Sequence, residues 1–84
     1  MTDVTKVVES LVLTVHRRNG GTLTRLGLRL KLLDPKLALD SLDLAEIMVG
    51  IERHFGCSPF DGPKPPRTWA DVVAYLANRC HDDR

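Results

Sequence analysis

Leu39-Asp40-Ser41-Leu42-Asp43-Leu44-Ala45-Glu46-Ile47 is the stretch that decides the fold of this 84-residue chain. Leu44, Ile47, Met48, Ile51 and Phe55 recur at helical spacing, so they share one apolar face. Asp43 and Glu46 lie at the start of that helix, where its dipole favours negative charge. Asp40 followed three residues later by Asp43 is a loose capping box. Ser41 therefore stands at the N-cap or the first helical position, with its hydroxyl at the rim and not in the core. Gly56 ends the helix at the expected place, giving a helix from Ser41 to about Phe55. Gly50 within it costs about 1 kcal/mol relative to Ala, and marks close packing or a shallow surface beside a ligand. A helix start offers unpaired backbone N–H groups to an anion, so a phosphate esterified to Ser41 would sit in a favourable field.

Upstream of this helix, residues 22–39 hold Leu23, Leu26, Leu28, Leu30, Leu32, Leu33, Leu37 and Leu39, too apolar for a solvated linker. Residues 26–32 alternate Leu with Gly, Arg and Lys, which by pattern alone suggests a strand. No second strand candidate exists to pair with it. The segment reads as a long loop pinned across the helices by its leucines, with part of it in a short helical turn. Before it, Asp3 to about Arg18 forms a first helix, with Val4, Val7, Val8, Leu11, Val12 and Val15 on one stripe and Thr2 or Asp3 as the cap. His16, Arg17 and Arg18 fall in its last turn, where cations suit the dipole, and Asn19-Gly20-Gly21 stops it.

Downstream, the prolines at 59, 63, 65 and 66 forbid a regular helix there. At most one turn fits, around Ser58 to Gly62. Thr68 and Asp71 have capping-box spacing, with Asp in place of Glu, and start a last helix with Trp69, Val72, Val73 and Leu76 on its apolar face and Ala77 at its margin. The polar end from Cys80 to Arg84 is expected to fray. Three amphipathic helices cannot bury their stripes singly. The predicted fold is all-α, a small antiparallel helical bundle with three main helices, a long first loop and a short or degenerate third helix between the second and last ones. One domain accounts for residues 1–84, with a core of about 4–77.

Aromatic residues make up only 5% of the chain, so aliphatic side chains must build the core. No apolar run approaches the roughly 20 residues that cross a bilayer. Met1-Thr2-Asp3-Val4 has neither the basic start nor the apolar stretch of a signal peptide, which leads to the expectation of a cytoplasmic protein. Cys57 and Cys80 are widely spaced and form no Cys-x-x-Cys, against a zinc or redox site. In a reducing compartment they are expected to be inert thiols, the alternative being a disulfide that ties the second loop to the last helix. Between His16 and Lys36 six Lys or Arg stand against Asp34; between Leu37 and Gly62 five acids stand against Arg53. The basic half could suggest nucleic acid. The connection between the first two helices is too long for a helix-turn-helix, however, and the second helix is acidic where a recognition helix is basic.

Asp40-Ser41-Leu42-Asp43, followed by the apolar ladder and Ile51-Glu52-Arg53-His54-Phe55-Gly56, resembles the modification site and second helix of acyl carrier proteins. The resemblance runs from about Val4 to about Ala77. It implies that Ser41 carries 4′-phosphopantetheine, transferred from coenzyme A by a phosphopantetheinyl transferase, and that Asp40 helps the transferase hold its metal. The protein itself would keep no metal and be no enzyme. It would be a monomer that presents acyl groups, as thioesters, to acyl-loading, ketosynthase or acyltransferase-type enzymes of fatty-acid, polyketide or specialised lipid synthesis. The family's long first loop favours the loop reading of residues 22–39. Its docking face corresponds to Leu42, Asp43, Ala45, Glu46, Val49 and Glu52, where charge pairs steer encounter with basic partners. Arg53 interrupts that acidic stripe, and the Pro-rich loop stands where the family has a short helix lining its acyl cleft. Two alternatives remain: a peptidyl or aminoacyl carrier, which more often has Gly-Gly before the Ser, and an unmodified helical interaction module. A hydrolase is not among them, because His16, His54 and His81 supply no base oriented by a third group.

Overall fold

The three amphipathic stretches are three α-helices in the computed structural model, which describes residues 3–79. These are α1 (Val4–Arg18), α2 (Ser41–Phe55) and α3 (Trp69–Arg79), with single 3-10 turns at Pro35–Leu37 and Pro59–Asp61. The second turn is capped by the Ser58 hydroxyl and ends at Gly62, where the proline spacing allows one turn and no more. Asp3 caps α1 by accepting the Lys6 N–H, and Thr2, the other expected cap, lies outside the described residues. Gly56 closes α2 at φ 81°, in the left-handed region that favours glycine.

α1 packs against both other helices. The core contains Val8 and Val12 of α1, Ile47 and Ile51 of α2, and Trp69, Val72 and Leu76 of α3, each shielded almost completely from water. Burying one such aliphatic side chain stabilises the fold by about 1.5–3 kcal/mol. Gly50 faces α1: a Cβ there would stand 3.1 Å from Leu11 Cδ2, so the glycine marks close helix packing.

Residues 22–39 are a loop, and leucines do pin it: Leu26, Leu32 and Leu37 are buried in the same core. The strand-like alternation nevertheless has a counterpart. Leu28 and Leu30 carbonyls accept the Ala70 and Trp69 N–H groups, and Leu32 N–H donates to the Arg67 carbonyl. An isolated antiparallel bridge joins Lys31 to Thr68. The partner that the pattern lacked is thus the lead-in to α3. Two polar side chains hold the loop to α1 as well. Glu9 accepts the Leu26 N–H at 2.9 Å. His16, read from sequence as a cation of the last turn, is instead 2% exposed.

The geometry around His16 assigns its hydrogen. The Leu37 carbonyl can only accept, so Nδ1, at 2.8 Å, donates to it. The Leu23 N–H can only donate, so Nε2, at 3.1 Å, accepts from it. One imidazole thereby clasps both ends of the loop. Cys57 is disulfide-bonded, which corrects the expectation of two reduced thiols. Cys80 and the end expected to fray lie outside the described residues. No helix among the described residues is long and apolar enough to cross a membrane.

Candidate functional site

The start of α2 separates two roles that its sequence left joined. Asp40 is the N-cap: its Oδ1 accepts the Asp43 N–H at 2.8 Å, and the Asp43 carboxylate accepts the Asp40 N–H at 3.2 Å. The capping box is therefore complete without Ser41. Ser41 occupies the first helical position and is exposed. The Asp40 carbonyl takes the Leu44 N–H. The Asp43 and Leu44 N–H groups are thus spoken for, whereas those of Ser41 and Leu42 have no acceptor among the described residues.

Two carboxylates flank Ser41 in sequence, and the end of α1 offsets one of them. Asn19 Nδ2 donates to Asp43 Oδ2 and to the Ala38 carbonyl, both at 2.8 Å. Arg18 forks onto Glu46 at 2.9 and 2.8 Å and reaches Asp43 at 3.4 Å. The Asn19 amide, then the Asp40 N–H, hold the Asp43 carboxyl below the usual carboxylate range. The Arg18 hydrogen bond does the same for Glu46, and Glu46 in turn raises Arg18. All three stay ionised at neutral pH. This cluster was not among the sequence expectations, since its partners lie 24–28 positions apart.

The outer face of α2 brings together Leu42, 78% exposed, and Val49, 49% exposed, with Ala45, Glu46 and Glu52 also exposed. Asp43 is set apart from them, half-buried against Asn19. Of the six residues expected to form a docking face, two acids are therefore already engaged inside the molecule. Glu52 has no ion pair among the described residues. Arg53 is also exposed on this helix, so the face is apolar with mixed charge and not a continuous acidic stripe.

The described residues contain no group of three or more His, Cys, Asp or Glu that could hold a metal ion. The site consists of one exposed primary hydroxyl at a helix start, two uncommitted N–H groups beside it and an apolar helix face running away from it. No protein-family model, curated protein or solved structure matches the chain.

Proposed function

We propose that this chain is a freestanding carrier protein, modified at Ser41 with 4′-phosphopantetheine, that presents acyl groups to separate enzymes. The reading rests on one observation: Asp40, not Ser41, caps α2, so the exposed Ser41 hydroxyl has no structural duty. It also rests on the resemblance of Asp40-Ser41-Leu42-Asp43 and the following ladder to acyl carriers.

The residues fit the group. Its phosphate would be met by the Ser41 and Leu42 N–H groups at the positive end of the α2 dipole. Asp43 would repel that phosphate, but Arg18 supplies a countercharge and Asn19 hydrogen-bonds its carboxylate. When bound, the group supplies a thiol on a flexible arm, so the chain needs no catalytic side chain of its own. Leu42 and Val49 would seat in apolar hollows on the transferase and on the downstream enzymes. Glu52 would add a charge contact that steers encounter more than it tightens binding.

The test is the intact mass of the folded protein after incubation with coenzyme A and each of several permissive phosphopantetheinyl transferases, beside Ser41→Ala. The expected result is a gain of one phosphopantetheine by the wild type and none by the variant. No gain with any transferase overturns the carrier reading in favour of an unmodified interaction module. Loading by an adenylating enzyme with an amino acid, in preference to an acyl donor, would point to the peptidyl-carrier alternative.

A further inference from the structure

A second surface lies on the α3 side of the molecule and has no part in the site at Ser41. The loop through Pro59–Pro66 and the outer side of α3 enclose an open groove of about 680 Å³, with the loop prolines as one wall and Ala74 and Tyr75 as the other. Its size is that of a cleft for a few side chains or a small ligand. Proline fixes its own backbone, so this wall is stiff before anything binds. Gly62 packs closely on the opposite wall, since a Cβ there would stand 2.7 Å from Tyr75 Cε2.

The charges around the groove have one dominant sign. Lys64 and Arg67 line it and are exposed. The single acid in the lining, Asp71, is committed: its Oδ2 accepts the Arg67 and Thr68 N–H groups at 3.0 and 3.1 Å. The antiparallel seam adds further cations, because it sets Lys31 beside Thr68 and brings Arg29, two residues back, along the same segment. Residues 22–33 and 59–75 together contain five cations, Arg25, Arg29, Lys31, Lys64 and Arg67, against two acids, Asp61 and Asp71. Arg25 is drawn toward Glu9 at 3.6 Å, and none of the other four has an ion pair among the described residues.

We infer that this groove is a docking site for an acidic peptide segment of a partner protein, one that anchors an apolar side chain between the proline wall and Tyr75 and places carboxylates against Lys64 and Arg67. Charge complementarity selects the occupant. An apolar slot with an excess of cations around it favours acidic segments over basic ones, and the attraction weakens with salt. The surface is separate from the α2 face, so a partner could hold the carrier here while Ser41 remains free.

The experiment is a titration of the uniformly 15N-labelled protein, followed by amide shifts. The probe is a synthetic peptide with a Leu-Phe pair between two runs of Glu, and the control is the same peptide with Lys in place of Glu. The acidic peptide is expected to shift amides of residues 64–75, with an affinity that falls as salt is raised. Lys64→Glu combined with Arg67→Glu should weaken it about tenfold and make the Lys peptide the better ligand. Both side chains are exposed, and an unchanged amide spectrum elsewhere would show that the double variant is folded. Equal binding of both peptides, shifts confined to α2, no shifts at all, or decanoate displacing the peptide at these amides would each overturn the inference. None of these outcomes depends on whether Ser41 accepts phosphopantetheine.

Discussion

Replacing Asp40 by Ala removes the oxygen that holds the Asp43 N–H and is expected to cost about 1 kcal/mol of stability in urea denaturation. Ser41→Ala, at an exposed first helical position, should change it by less than about 0.5 kcal/mol. Equal losses would mean that Ser41 shares the capping, and the argument for an uncommitted hydroxyl would fail. Gly21 offers a sharper contrast. A Cβ there would collide with the His16 ring, and the ring is fixed through both nitrogens. Gly21→Ala should therefore destabilise by about 1–3 kcal/mol, whereas Gly20→Ala, with open space around its Cβ, meets only the strain of φ 93°. The roles of Asp40 and Asp43 were legible because a capping box is local. His16 was misread for the opposite reason. Its partners lie 7 and 21 positions further on, and no local pattern separates a clasp from a cation placed against the dipole.

Between elements, the contacts of Arg18 and Asn19 with α2 predict how the fold responds to acid. Asp43, Glu46 and Asp71 all have folded-state values below the ordinary carboxylate range. The unfolded chain therefore takes up protons first as the pH falls. The stability these groups contribute is complete well above about pH 4 and is lost as the pH drops through their folded values. Urea midpoints should be level at neutral pH and fall below about pH 4, with a shallower fall in Asp43→Asn. In Arg18→Ala, NMR titration should move the Glu46 carboxyl up clearly and Asp43 less, because the Asn19 hydrogen bond is the main hold on Asp43. Comparable movements of both would mean that Arg18, not Asn19, governs the cluster. At this scale the sequence was legible for the helices themselves. The limits of α2 and α3, the single turn at 59–61 and the apolar stripes follow from caps, prolines and periodicity within a few residues. The pairing of the α2 acids with Arg18 and Asn19 was not legible, since it joins the end of one helix to the start of another across a long loop.

For the whole molecule, Trp69 is the informative core residue. It is fully buried, and its Nε1 has no hydrogen-bond partner among the described residues. An unpaired buried donor carries a desolvation penalty of about 1–3 kcal/mol, so Trp69→Phe relieves that penalty while leaving a smaller side chain in the site. Its cost, by circular dichroism in urea, should stay below that of Leu76→Ala, expected at about 2–5 kcal/mol. The reverse order would indicate that the indole N–H is satisfied. The all-α class and the leucine-pinned loop were legible in the sequence. The seam between the loop and the lead-in to α3 was visible only as an alternation without a partner, because residues 67–70 resemble a helix start, not a strand. That seam makes the first loop and the last helix hostages to each other. The amide hydrogens of Leu32, Trp69 and Ala70 should exchange with deuterium at one shared rate, although some 37 residues of chain separate them. Shortening the protein before Thr68 should free the middle of the first loop as well as delete the third helix, leaving only the Glu9 and His16 contacts to hold that loop beside the start of α2.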